Sequence, residues 1–507
     1  MPSPFDDLRT RRRSPRVPAV LTGVVIVGLV AVQLGGSGPF SSFSSTRECR
    51  AVVARDGHDL SEDPVEVVVR ASSSSYPCAE HVTIARVSDS AAVRTGAERA
   101  VEEGGPLLVV SGDVIDPAVM VELTRLEPER VTLVGMGDPA ESQLAALEVE
   151  VDRAEVDSAA LGPGLSEEKG GPVFLLDSTA SVVLPAIEVI ARQTAGKVLV
   201  AADIDLSDLP DPMRLVIESS SALRLVGGFD PTTAWQVELV RSDAELPGGG
   251  MTLFPEKRLV GFYGTPGTDD LGVLGEQGPA ETHALMTEAI AGYGADGVQV
   301  VPMFEIITTV AAAGPGPDGD YSDEMSINTL QPWVEYAAEN GIYVVLDLQS
   351  GRTDFLTQAQ RYESLLRLPH VGLALDPEWR LARDQIHLEQ IGTVDASEIN
   401  AVSDWLAGIV REEVLPQKLF LVHQFRDSMI TNRDEIATPD ELAVVLQMDG
   451  QGPFPTKVVT WNGLTSNWNP DRGFLWGWKN FYDEDVPRAT PAEVLELYPV
   501  PVFISYQ

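Results

Sequence analysis

The amino-acid sequence predicts an α/β protein in three parts: an N-terminal transmembrane helix, tandem α/β repeats, and a C-terminal TIM-like (β/α)8 barrel. Three observations predict it. A basic N-terminus precedes an apolar run of about membrane-spanning length. A strand–helix–strand pattern recurs after about 90 residues. From residue 251 onward, short apolar segments ending in polar or aromatic residues alternate with segments of helical period. The expected boundaries are a cytoplasmic basic segment at 1–16, the membrane anchor at 17–34, a linker at 35–46, the repeats at 47–245 and the barrel at 251–507.

The N-terminus carries the topological signal. Arg9, Arg11, Arg12, Arg13 and Arg16 precede 17–34, a run broken only by Pro18, Thr22, glycines and Gln33. About eighteen residues is near the minimum for a bilayer span, and the positive flank stays cytoplasmic. The expectation is a single-pass anchor in the cell membrane, with the later domains extracellular. A cleaved signal peptide is the competing reading, but the run is long for its apolar core and 33–38 offers no clean Ala-x-Ala cleavage site. Residues 35–46 are rich in Gly, Ser and Phe and read as a linker. Cys49 and Cys78, the two cysteines of the chain, follow it, and outside the cell such a pair most simply forms one disulfide.

Acids outnumber bases 76 to 36, giving a formal net charge of −40. A surface of that sign repels nucleic acid, so no nucleic-acid partner is expected. The excess of Arg over Lys, with abundant Ala, Val, Gly and Asp, fits a GC-rich genome.

In the repeat region, apolar segments at 106–113 and 129–138 flank a helical pattern at 116–126, and the same order returns at 196–203 and 222–230. Segments apolar throughout are buried on both faces, as in parallel α/β layers. The Val-Gly-Met-Gly-Asp and Val-Gly-Gly-Phe-Asp strand ends at 134–138 and 226–230 resemble the cell-wall-binding repeat 2 family of bacterial surface proteins, over about 81–240. That resemblance implies non-covalent attachment to wall polymer. A structural spacer is the plainer alternative.

A Pro/Gly joint at 246–250 closes this part. Barrel strands are expected at 259–263, 298–304, 342–346, 371–375, 418–422, 443–448, 473–478 and 502–505, with helices at 281–293, 330–340, 357–366 and 397–412 between them. Segment 457–461 competes for one of the last two strands. A doubly wound sheet is the alternative architecture, and it leaves the regular spacing unexplained.

Active sites of such barrels form where the strands end. Those ends carry Tyr263, Glu305, Asp347 with Gln349, Asp376 with Glu378, His423 with Gln424, Asp449, Trp478 with Lys479, and Tyr506; Arg352 follows the third. Residues two apart on an extended segment point the same way, so Asp376 and Glu378 are aimed together. One acid there commonly caps the next helix, but several converging on one mouth call for a chemical reason. Glycoside hydrolysis needs a protonated acid beside an ionised carboxylate, and crowded acids split their pKa values. The Asp-x-Glu at the fourth strand resembles the pattern of several barrel glycosidase families, wall-lytic lysozyme-like ones included. The resemblance implies Glu378 as the acid and Asp376 as its partner, with Asp347 or Glu305 as the second carboxylate. Candidate substrate-binding residues are Arg352, His423, Gln424, Asp449, Trp478, Lys479 and Tyr506, and the expected partner is cell-wall or capsular polysaccharide. Segments 351–355, 374–381 and 477–485 also resemble an uncharacterised barrel region in surface proteins of high-GC Gram-positive bacteria, a likeness that brings no activity with it.

Other readings compete. Asp347, Asp376, Glu378, His423 and Asp449 suit a hard divalent ion, although the expectation is no metal and no cofactor. Residues 318–324 resemble part of a calcium loop and read as an acidic turn. No Gly-x-Ser-x-Gly motif and no phosphate-binding loop is present. Arg380 is placed to neutralise Asp376 or Glu378, Trp476 and Trp478 are candidates for the core, and a barrel that binds glycan or a protein partner without cleaving anything remains the rival from a different class.

Overall fold

The computed structural model describes residues 49–53, 55–159, 171–201, 211–242 and 244–507. The expected anchor at 17–34 and its flanks lie outside the described residues; among those described, no helix is long and apolar enough to cross a membrane. The Cys49–Cys78 disulfide is formed, with Cα atoms 5.1 Å apart.

The repeat produces two four-stranded parallel sheets. In the first, β2 (His81–Arg86) lies between β3 (Leu107–Val110) and β4 (Arg130–Val134), and β5 (Glu150–Ala154) pairs with the far edge of β4. The second repeats this order with β6 (Val173–Asp177), β7 (Lys197–Ala201) and β8 (Leu223–Gly227). Its fourth position, the counterpart of β5, is filled from the opposite end of the region by β1 (Gly57–Leu60). The second unit is therefore completed by a strand that precedes the first. On this junction Asp59 accepts from Arg224 Nε at 3.1 Å, and both side chains are buried. Gly57 is required beside them, because a Cβ there would sit 2.1 Å from the Arg224 guanidinium.

The Pro/Gly joint is a tight reversal. Gly248, Gly249 and Gly250 all have φ between 72° and 84°, conformations that only glycine adopts without strain, and Leu246 N–H donates to Gly250 O. The helix Pro231–Arg241 that precedes it meets the barrel, where Trp235 Nε1 donates to Leu415 O at 2.8 Å.

Eight parallel strands then close on themselves: β9 (Lys257–Gly264), β10 (Gln299–Ala311), β11 (Tyr343–Leu348), β12 (Val371–Leu375), β13 (Lys418–His423), β14 (Leu442–Met448), β15 (Leu475–Asn480) and β16 (Phe503–Tyr506), which pairs back to β9. The competing segment 457–461 lies inside the helix Phe454–Thr465. Strand parity divides the buried side chains into two clusters. Leu259, Met303, Val345, Ala374, Leu421 and Val445 pack inside the barrel. Val260, Phe304, Leu346, Leu373, Val422 and Leu446 pack outward against the helices. Each strand that ends at the mouth carries this alternation with it.

Removing one partner of a buried ion pair leaves the other charge uncompensated, at a cost of about 3–5 kcal/mol. Asp59→Ala is accordingly expected to lower the unfolding free energy of the repeat layers, read from urea unfolding, by that order. A shift below about 1 kcal/mol would mean that β1 is held by its backbone ladder alone.

Candidate active site

The inward parity, followed to the strand ends, brings Tyr263, Glu305, Asp347, Asp376, His423, Asp449 and Lys479 to one mouth. The next inward positions add Gln349 and Glu378. These residues occupy two tiers. Glu305, Asp347, Asp376 and His423 are at most 1% exposed and form the lower one. Above them, a cavity of about 690 Å³ is bordered by Glu378, Asp449, Lys479, Tyr263 and Gln349, with Trp379 and His387 on the loop after β12.

His423 holds the lower tier together. Its Nδ1 lies 3.0 Å from Asp449 Oδ2, while Nε2 lies 3.1 Å from Glu305 Oε1 and 3.7 Å from Asp347 Oδ1. Burial opposes a charge on this ring, but Asp347, Asp449, Glu305 and Asp376 together outweigh it and hold its pKa well above the ordinary value. His423 is therefore an imidazolium surrounded by acids. Tyr263 O–H donates to Asp347 Oδ2 at 3.0 Å and accepts from Gln349 Nε2 at 3.2 Å. The Lys479 ammonium stands 3.3 Å above the centre of the Tyr263 ring, a desolvated cation–π contact.

The acids answer burial by keeping protons. Desolvation pushes Asp347 up to about 6, with His423 pulling the other way. Desolvation and the neighbouring Glu378 push Asp376 well above the carboxylate range. Glu378, half-buried, is pushed up to about 7, first by desolvation and then by Asp449. A carboxyl with that value carries its proton near neutral pH and releases it readily, as a general acid must.

Arg380 does not neutralise either acid. Its guanidinium pairs with Glu398, Nε to Oε1 at 2.8 Å, and donates to the carbonyls of Leu381 and Arg352. The acids of the Asp376–Glu378 segment are thus free of the ion pair that would have made them inert. Five of the expected substrate-binding residues, Arg352, His423, Gln424, Trp478 and Tyr506, do not border the cavity. Trp478 has outward parity; it packs against Trp461 and donates to Asn480. Trp476 joins the same aromatic cluster. Tyr506 is also outward, with its hydroxyl 2.7 Å from that of Tyr293. Gln424 accepts from Arg433 at 3.0 Å, and Arg352 donates to Gln385 O while stacking 4.4 Å over Tyr321. His423 supports the cavity from beneath, and Asp449 and Lys479 border it. Among the expected catalytic acids, only Glu378 reaches the cavity. Tyr263 and Gln349 could have been added from strand parity alone; His387, on a long loop, carries no such signal.

Asp376, His423 and Asp449 bring potential metal-ligand atoms within 4.8 Å of one another. Both nitrogens of His423 already face carboxylates at 3.0–3.1 Å, so a cation there would have to displace the imidazolium that balances the cluster. The acidic turn at Asp318, Asp320 and Glu324 also gathers carboxylates. Its members are engaged locally: Asp320 accepts from Ser322 N–H and Thr353, and Glu324 pairs with Arg361.

The charged His423 contributes stability that is complete below the ring's ordinary pKa and is lost as pH climbs through its raised value. The His423→Leu protein is expected to be less stable than wild type at about pH 5, where that contribution is fully present. Thermal unfolding at that pH checks this, and matching midpoints would contradict it.

No family model matches the chain, and no curated protein matches it. Among solved structures it is weakly similar to two cell-wall proteins of Clostridium difficile. Against Cwp8 the identity is 11% and the TM-score 0.21, covering 70% of this chain and 52% of that one. Against Cwp6 they are 14% and 0.20, covering 77% and 66%. The chain thus spans about half the length of Cwp8, and likeness at this level assigns neither activity nor substrate.

Proposed function

We propose that the barrel is a glycoside hydrolase acting on cell-wall or capsular polysaccharide, anchored at the cell surface by 17–34 and spaced or attached to the wall by the repeat layers. The observation that carries this reading is that Glu378 and Asp449 border the same cavity and are close enough for the charge of Asp449 to act on Glu378. Each borders the open space, and Asp449 is among the causes that keep Glu378 protonated. Glu378 donates its proton to the departing glycosidic oxygen. Asp449, which accepts from the His423 imidazolium, supplies the ionised carboxylate that attacks the anomeric carbon or activates water. This role passes to Asp449 because Asp347 and Glu305 are fully buried beneath the cavity. Lys479 and Tyr263 border the same space and orient hydroxyls, and Phe425 and Phe481 give it aromatic walls.

The full-length protein incubated with wall and capsular polysaccharides is expected to release reducing ends. Glu378→Gln, which cannot donate the proton, is expected to lower turnover by about 10²–10⁴-fold. A fully active Glu378→Gln protein, or glycans that bind and are never cleaved, would overturn the hydrolase in favour of a binding module.

The pH profile provides a second check. The reacting form has Glu378 protonated, so kcat is expected to fall as pH rises through about 7. A rate that still climbs above that point would assign the proton donor to another group.

A further inference from the structure

Three polar atoms at the cavity wall have no hydrogen-bond partner among the described residues, and they belong to two rings on one loop. Trp379 closes the short turn Pro377–Trp379 after β12, and His387 folds back onto it with ring centroids 4.5 Å apart and planes tilted by 54°. Both border the cavity beside Glu378. The indole N–H of Trp379 and both ring nitrogens of His387 are buried and unpartnered. Burial lowers the His387 pKa, so the neutral ring offers one donor and one acceptor.

The loop that presents these rings is pinned along its length. Leu381 N–H donates to Gly351 O at 2.7 Å, and Gly392 N–H donates to Glu378 O at 2.7 Å. Arg352 holds the carbonyl of Gln385, two residues before His387, and Arg380 ties the loop's start to Glu398. Gly392 is required where the loop returns, since a Cβ would lie 2.5 Å from the carbonyls of Pro377 and Arg380. Two arginines that the sequence places near the acids are thus occupied in fixing the Trp379–His387 pair. A fixed ring pair with unspent donors is the arrangement of a binding surface, because burying such groups is unfavourable until a ligand satisfies them.

We infer that Trp379 and His387 form a carbohydrate subsite, in which the rings pack against the apolar face of a neutral pyranose and a small rotation of each side chain brings its nitrogens, buried in the free protein, to the sugar hydroxyls. A hydroxyl both donates and accepts, as the neutral imidazole does. Glu378, Asp449 and Glu484 border the same cavity and disfavour a phosphate or uronate within it. Trp379 is the residue after the proposed acid, so a sugar seated on it lies next to the proton donor. The assignment rests on the glycan reading of this cavity.

The test uses the full-length Glu378→Gln protein, titrated with neutral hexose and N-acetylhexosamine oligosaccharides. The indole N–H resonance of Trp379, identified by its absence from Trp379→Phe, is followed by NMR. Saturable movement of that resonance is expected, with affinity about ten-fold weaker in His387→Ala and less affected in His387→Gln, which keeps a donor and an acceptor. Binding that leaves the resonance in place overturns the subsite, as does affinity unchanged by both His387→Ala and Trp379→Phe. So does failure of every oligosaccharide to bind. Turnover by the wild-type protein in any of those cases would leave the hydrolase standing without this subsite. Ligand binding at Trp379 with no wild-type turnover would keep the subsite and remove the hydrolase. Matching thermal unfolding midpoints separate a lost contact from a lost fold.

Discussion

The mouth of the barrel depends on the charge of His423. Taking a carboxylate out of water costs several kcal/mol even after the protein relaxes, and this barrel does so at four neighbouring strand ends. One opposite charge at about 3 Å returns roughly 5 kcal/mol at an effective dielectric near 20. A single pair would therefore about break even. One imidazolium facing Asp449 on one nitrogen, with Glu305 and Asp347 on the other, does better, because its own desolvation is incurred once and its field is shared. Part of the remaining charge is removed by a proton on Asp376, whose pKa burial pushes well above the carboxylate range.

Much of this arrangement is legible in the sequence, and the reason is period two. The eight apolar segments coincide with the eight strands. Once a strand's inward positions are known, its last polar residue is aimed. The same rule separates Lys479, which enters the mouth, from Trp476 and Trp478, which cannot share its side of β15. Counting polar or aromatic residues at strand ends admits Trp478 beside Lys479, whereas counting parity excludes Trp478 and Tyr506. The repeat was legible for a related reason, since continuous apolar strands at a fixed interval leave few arrangements other than duplicated parallel layers.

What local pattern does not carry is the choice of distant partner. Nothing in Gly57–Leu60 announces that it completes the second sheet instead of the first. That choice is made by the Asp59–Arg224 pair and the close approach at Gly57, across more than a hundred residues of intervening chain. Arg380 is a similar case. Two residues from Glu378 it reads as a neutraliser of that acid, yet its longer reach finds Glu398 at the start of the next helix. An arginine's partner depends on where its flexible stem can deliver the guanidinium, and sequence proximity is a poor guide to that.

The separation of the acids into two tiers follows from the single residue, Pro377, between Asp376 and Glu378. Asp376 still obeys the strand and is drawn into the layer around His423, where burial leaves it protonated and out of reach. Pro377 cannot extend the strand ladder, and the chain turns at once, lifting Glu378 to the edge of the open cavity. There desolvation first, and then the charge of Asp449, raise its pKa, while it stays exposed enough to pass its proton to a ligand. The lower tier is in this sense an electrostatic support. It does not border the cavity, but its charges reach the Glu378 carboxyl above it, His423 lowering and Asp347 raising that group's pKa.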